Sequence, residues 1–194
     1  ILLLKDKPDT GYRSILGWAF FCLNDRLAAT SLWGISGDDD EAKLGGALSC
    51  LIREGFSEKL RVEFAALAAC SNFIVSVVCC RLLAEAFFSQ GNFQKAIHWA
   101  RRSEWRTPRD LSVKRLIARS LQRGKDRKSA IECWTEIASI SPEDAEAQEQ
   151  LGRLALETKD PAKAADFFRR SLAIDPFRGE LRLLLGDIAL DSDD

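Results

Sequence analysis

The sequence predicts an all-α fold in which antiparallel helix pairs stack side by side as an α-solenoid. Three prolines recur at one constant interval, at Pro108, Pro142 and Pro176. Three alanines keep the same interval, at Ala96, Ala130 and Ala164. A fixed period of this length indicates one structural unit that is repeated and buries its apolar face against its neighbours.

Each unit contains two stretches with apolar residues at spacings of three and four, which is the pattern of an amphipathic helix. Turn residues such as Gly91 and Gly124 separate the two stretches. Pro161 suits the first turn of a helix, where its missing N–H costs nothing. Small residues recur where two helices must approach closely, at Ala84, Ala96, Ala118, Ala130, Gly152 and Ala164.

Five units and a capping helix account for residues 1–194 as a single domain. The clearest units are 77–110, 111–144 and 145–178, and two fainter units fall at about 10–40 and 41–76. A helix at 179–190, which carries Leu185-Gly186, is expected to cap the stack. The two upstream units depend on weaker matches, at Leu16-Gly17, Phe20, Ala29 and Trp33, and at Leu51, Gly55, Leu60 and Phe64.

The repeated residues resemble the tetratricopeptide repeat, whose pattern is W-x2-L-G-x2-Y, then A-x3-F, then P. The match is strongest at Leu151-Gly152, Ala164, Phe168 and Pro176, and the signature Trp is replaced by Cys80, Lys114 and Gln148. The resemblance implies a right-handed α-solenoid whose first helices line a concave groove. It also implies a non-enzymatic scaffold for protein–protein interaction.

A basic stripe is the first candidate binding surface. Arg115, Arg119 and Arg123 are spaced four apart and therefore share one helix face. Arg81 holds the matching place one unit earlier, and Lys114 flanks the stripe. Residues 77–144 carry 13 basic and 8 acidic side chains, whereas 1–76 carry 8 and 10, and 145–194 carry 7 and 11. The pattern predicts a peptide or protein ligand with an acidic section.

The alternative is that these arginines form a solvated face or pair with Glu85, Glu146 and Glu149 on neighbouring helices. A chaperone C-terminus is not the expected ligand. Glu85, Leu116, Glu146 and Gln150 occupy places that the two-carboxylate clamp of some family members gives to Asn, Lys or Arg.

An apolar surface is the second candidate. Trp18, Phe21 and Ile52, together with Gly45-Gly46, are predicted to line the upstream groove and to bind a partner helix or an extended apolar peptide. The alternative is that another part of the native protein covers this surface.

The sequence offers little material for catalysis, and no enzyme activity, cofactor or metal is expected. His98 is the sole histidine, and the chain has no C-x-x-C and no G-x-S-x-G. Gly45-Gly46 lacks the G-K-[ST] of a phosphate loop. Nucleic acid is not expected either, because aromatic residues do not interleave with the arginines and the net charge is −1.

The six cysteines and one uncharged stretch indicate the cellular compartment and whether the chain enters a membrane. The cysteines lie on apolar stretches, so we expect small buried residues in a reducing, cytoplasmic setting, with metal or redox sensing by Cys79-Cys80 as the alternative. Phe64–Cys80 contains no charge, which raises a membrane helix as an alternative. Polar Ser71-Asn72 and a helix break near Cys70–Asn72 favour two packed helices instead, without membrane insertion.

The chain begins at Ile1 and contains no methionine, which indicates a fragment or a processed chain. The predicted function is a scaffold for complex assembly, in an oligomer or larger complex, with bacterial secretion or envelope assembly as its setting. The alternative is a regulatory or substrate-recruiting segment of a larger enzyme, such as a glycosyltransferase or sulfotransferase.

Overall fold

The computed structural model describes residues 40–192, except for the side chains of residues 42, 52–54, 191 and 192. All regular secondary structure in this range is helical, which confirms the all-α class. The helices are α1 (Asp40–Glu54), α2 (Glu58–Leu67), α3 (Phe73–Ser89), α4 (Phe93–Arg106), α5 (Leu111–Arg123), α6 (Arg127–Ile140), α7 (Ala145–Glu157), α8 (Pro161–Ile174) and α9 (Gly179–Ser192).

The chain divides into two compact units. The first comprises Ile1–Gly91 and His98–Thr107, and the second comprises Asn92–Ile97 and Pro108–Asp194. Within its described residues, the first unit contains α1 to α3 and most of α4. The second contains the start of α4 and all of α5 to α9.

The first unit is built around fully buried apolar side chains from three helices. Leu44 of α1, Phe64 of α2 and Leu83 of α3 have no exposed surface. The ring of Phe64 stacks on Phe56, with ring centroids 6.0 Å apart. The sequence between α2 and α3 breaks the helix as predicted, and Asn72 caps α3 by accepting hydrogen bonds from the N–H groups of the first turn.

Polar contacts tie α4 to the α2–α3 connection inside the first unit. The carbonyl oxygen of Ala68 accepts hydrogen bonds from Ser76 Oγ at 2.5 Å and from Arg102 Nη2 at 3.3 Å. Arg106 donates to the same Ser76 hydroxyl. Ser76 and Arg102 thus satisfy the Ala68 carbonyl, which lies just beyond the end of α2 and has no helical partner. None of the described helices has both the length and the apolar character that crossing a membrane requires.

The second unit repeats one helix pair at a fixed interval. Its first helices begin at Leu111, Ala145 and Gly179, which are equally spaced along the chain. The N-caps keep the same interval, since Asp110 and Asp144 cap α5 and α7, while Asp126 and Asp160 cap α6 and α8. An aspartate carboxylate at this position accepts a hydrogen bond from an orphan N–H of the first turn and interacts favourably with the helix dipole.

The period alanines lie on the second helix of each pair. Ala130 and Ala164 are fully buried, and Ala96 on α4 is as well. In the α7–α8 pair the ring of Phe168 packs against Gly152, where an added Cβ would lie 2.6 Å from Cδ1 of Phe168. A side chain at Gly152 would therefore force the ring or the helices to shift.

The turns between paired helices use a left-handed residue at one repeated place. Gly91 has φ of 75°, and Lys125 and Lys159, at the same place one and two repeats later, have φ of 65° and 62°. Only glycine adopts this conformation without steric cost, so the two lysines introduce local strain.

The predicted unit at about 10–40 lies almost entirely outside the described residues. Helix α3 begins at Phe73, ahead of the predicted unit boundary at 77. The division of residues 1–194 into five units and a cap stays a prediction.

Candidate functional site

The three arginines of the basic stripe all lie on α5, but their environments differ. The Arg115 side chain is 31% exposed and the Arg119 side chain is 50% exposed, while Arg123 lies exposed at the end of the helix. Arg115 is therefore partly buried, whereas Arg119 and Arg123 are exposed.

Arg115 forms an ion pair with Asp144, the N-cap residue of α7. Its Nη2 and Nε donate to Oδ2 of Asp144 at 2.6 and 3.2 Å. The Asp144 side chain is only 4% exposed, and its Oδ1 accepts from the N–H of Ala147 as the N-cap of α7. Arg115 thus neutralises a buried carboxylate that holds the start of α7, which gives it a structural role.

Arg119 forms a more exposed ion pair, with Glu146. Its Nε donates to Oε1 of Glu146 at 2.9 Å, and its Nη2 contacts the same oxygen. Because Arg119 is half exposed, this ion pair contributes little to stability and can exchange with another carboxylate. Arg123 has no ion pair with any residue in the described range.

Lys114 is placed differently from the arginines. Its side chain is 6% exposed, and its Nζ lies 2.7 Å from Oε1 of Glu136 on α6. Arg81, on α3 of the first unit, pairs with Glu85 of its own helix at 3.1 Å. The structure therefore brings Arg119 and Arg123 together as exposed cations and separates Lys114 from them, while a binding role for any of these residues stays a prediction.

The apolar candidate surface is described in part. Trp18 and Phe21 lie outside the described residues, and the backbone of Ile52 belongs to α1, without a described side chain. A groove of about 460 Å³ is present on the first unit, with Gly46, Ala47, Ala66 and Leu67 among its lining residues. Asp40, Lys43 and Glu63 supply charges around this apolar lining.

The ion pair between Arg119 and Glu146 has a counterpart in the following repeat. Arg153 and Glu180 hold the places that Arg119 and Glu146 hold in the preceding repeat, and they are 3.1 Å apart. Arg153 also contacts Glu149 at 3.0 Å, and Glu149 pairs with Arg178. Burial lowers the pKa of Arg153, but hydrogen bonds to Glu180 and Glu149 outweigh burial and raise it. The recurring Arg and Glu positions were a signal that the sequence analysis did not use.

The described residues provide no group of three or more potential metal ligands. Cys79 and Cys80 are buried, and burial raises the pKa of the Cys79 thiol to about 12. Cys70, Cys79 and Cys80 are free thiols. His98 is exposed and packs edge-on against Trp99, with ring centroids 5.5 Å apart.

Comparisons with known proteins agree with this geometry. The tetratricopeptide repeat family matches residues 115–179. No curated protein matches the chain in sequence. The fold is similar to that of YrrB, described as a TPR protein with an unusual peptide-binding site, at 14% identity and a TM-score of 0.70, with 92% of each chain covered.

Two further structures share the fold. MamA is 15% identical with a TM-score of 0.69, and the match covers 88% of this chain and 94% of MamA. The first TPR of Spaghetti (RPAP3), bound to the HSP90 peptide SRMEEVD, is 16% identical with a TM-score of 0.56, and the match covers 61% of this chain and 94% of that one. Residues 115–179 therefore match the tetratricopeptide repeat family, and the fold is similar to that of solved TPR proteins.

Proposed function

We propose that this protein is a non-enzymatic interaction scaffold that binds an acidic peptide or protein segment through Arg119 and Arg123. The observation that carries the proposal is the pair of exposed guanidinium groups on the first helix of a tetratricopeptide repeat. YrrB and RPAP3 support it by analogy, since these proteins of the same fold are described with a peptide-binding site and with a bound peptide.

The two arginines have different parts in this proposal. Arg123 offers an open guanidinium, which can bind a carboxylate through two parallel hydrogen bonds. Arg119 already has a carboxylate from Glu146, so a ligand must displace or share that contact. Arg115 is left out of the site, because its withdrawal would leave the buried Asp144 carboxylate without its partner.

The groove lined by Gly46, Ala47, Ala66 and Leu67 is proposed as a separate apolar docking surface on the first unit. Small residues in its lining would allow close approach of a partner backbone. Four further points stay predictions. They are the cytoplasmic setting in complex assembly, the bacterial secretion or envelope context, the alternative of a segment of a larger enzyme, and the five-unit organisation.

The experiment compares charge variants on an array of short peptides rich in Asp and Glu, each matched to a copy with Asn and Gln. The variant Arg119→Gln/Arg123→Gln is expected to weaken binding of the acidic peptides about tenfold, since it removes two exposed charge-assisted contacts that are each worth up to about 1 kcal/mol. The control Lys128→Gln/Arg169→Gln removes the same charge from exposed positions on α6 and α8.

A third variant tests the competition within the site. Glu146→Gln releases Arg119 from its carboxylate and is expected to tighten acidic peptide binding. If the control variant weakens binding as much as the Arg119/Arg123 variant, general electrostatics explains the affinity and the proposed site is wrong. Unchanged binding in the Arg119/Arg123 variant would also refute it.

A further inference from the structure

The first unit exposes three large apolar side chains at one end. Trp105, in the last turn of α4, is 82% exposed, and Phe73 and Ile74, in the first turn of α3, are 54% and 65% exposed. The ends of these two helices meet, because Arg106 donates a hydrogen bond to the hydroxyl of buried Ser76 near the start of α3. Trp105, Phe73 and Ile74 therefore lie at the same end of the unit.

A cluster of this kind differs from the scattered apolar residues of an ordinary surface. Single exposed apolar residues are common in folded proteins, whereas several together mark a binding surface. Trp is also enriched among the residues that contribute most to protein–protein binding. Val62, in the interior of α2, is 64% exposed and provides a comparison within the same unit.

Both signs of charge border the cluster, and they come from different helices. Asp40 and Glu41 begin α1, and Glu41 accepts a hydrogen bond at 3.3 Å from Nδ2 of Asn72, the N-cap residue of α3. Arg101 lies exposed on α4, one turn before Trp105 and on the same helix face. The start of α3 is thus bordered by acidic side chains from α1 and by a cation from α4.

We propose that two copies of the chain associate around a two-fold axis through this surface, which we call the dimer surface. It comprises two acidic residues of α1, two apolar residues of α3, and a cation and an aromatic residue of α4, namely Asp40, Glu41, Phe73, Ile74, Arg101 and Trp105.

The argument for a second copy is that the dimer surface is complementary to itself. Around a two-fold axis the same surface patch of both subunits meets, so the apolar centre of one copy packs on the apolar centre of the other. The axis also relates the charged borders, so α1 of each copy can face α4 of the other and pair acid with cation in two equivalent contacts. A partner with charge of one sign would match only half of this border.

The first test measures sedimentation of the 194-residue chain over a range of concentrations. We expect a reversible monomer–dimer equilibrium at concentrations up to about 200 μM, since small interfaces give weak association. Trp105→Gln is expected to weaken dimerisation about tenfold or more, because it removes the largest apolar contact of the interface. Val62→Gln removes an exposed apolar side chain elsewhere in the unit and should leave the equilibrium unchanged.

Two charge reversals test the symmetry. Arg101→Glu and Asp40→Lys each place like charges opposite one another in both contacts, so each variant alone should dimerise about tenfold more weakly than the wild type. Mixed in equal amounts, the two variants should form a heterodimer, because one contact then pairs the two new charges and the other keeps the native pair. Recovery in the mixture would also show that both variants are folded.

A wild-type chain that stays monomeric would overturn the inference, whether residues 1–39 or another protein covers the surface. So would equal weakening by Trp105→Gln and Val62→Gln, or charge variants that do not recover on mixing. The Arg119→Gln/Arg123→Gln variant should dimerise as the wild type does, because its changes lie in the second unit. Failure of this inference and failure of the proposed function are therefore separate results.

Discussion

Helices α7 and α9 carry the same Leu-Gly pair in the same register, yet the two glycines have opposite consequences. At Gly152 the ring of Phe168 fills the space where a Cβ would stand, whereas at Gly186 that space is open within the described residues. The comparison shows that the effect of a repeated Leu-Gly pair on stability depends on whether another helix packs on it. In α7 the glycine permits close packing, whereas in α9 no described side chain occupies the space that the glycine leaves.

The largest expected effect comes from removing the ring that covers Gly152. Phe168→Ala should lower the free energy of unfolding by about 3–5 kcal/mol, because a fully buried phenyl group is replaced by a cavity. Denaturant unfolding followed by circular dichroism measures the change. Phe167, the half-buried neighbour on α8, is the matched control, and Phe167→Ala should cost about 1 kcal/mol. Equal losses in the two variants would contradict the packing at Gly152.

The next effect comes from adding a methyl group under the same ring. Gly152→Ala should destabilise the protein by about 1–3 kcal/mol, since overpacking outweighs the gain in helix propensity. The double variant Gly152→Ala/Phe168→Ala should cost less than the sum of the two single changes, because the ring that clashes is gone. Additive losses would show that Gly152 and Phe168 do not interact.

The same substitution on α9 should act in the opposite direction. Gly186→Ala is expected to raise the free energy of unfolding by up to about 1 kcal/mol, because alanine favours the helix and meets no neighbour among residues 40–192. Thermal unfolding of the 194-residue chain provides the measurement. A loss of stability at Gly186 similar to that at Gly152 would mean that something already covers the α9 surface.

The smallest effect concerns the turn that leads into α8, the helix that carries Phe168. Lys159 has φ of 62°, so Lys159→Gly should stabilise the protein by about 0.5 kcal/mol through relief of left-handed strain. Lys128, an exposed lysine within α6, is the control, and Lys128→Gly should destabilise by about 1 kcal/mol. Opposite signs in the same unfolding assay are the expected result. Destabilisation by both changes would contradict a strained turn.

The candidate site was only partly predictable from the sequence. The spacing of Arg115, Arg119 and Arg123 placed them on one face, and Glu146 was named as an alternative partner. The role of Asp144 as the cap of α7 and the partner of Arg115 was not predicted, although Asp110 and Asp144 repeat at the period, which is a signal for caps. It also had no means of finding that Lys114 is buried against Glu136.

The sequence by itself determined the positions of the helices and turns in the second unit. Apolar periodicity, aspartate caps and turn residues act within one or two helical turns, so they can be recognised without knowledge of the neighbours. Tertiary structure alone decided which arginine stays open and which glycine is covered. Those outcomes depend on side chains from other helices or their caps, such as the N-cap Asp144 of α7 for Arg115 and Phe168 of α8 for Gly152, and the sequence pattern does not specify their contacts.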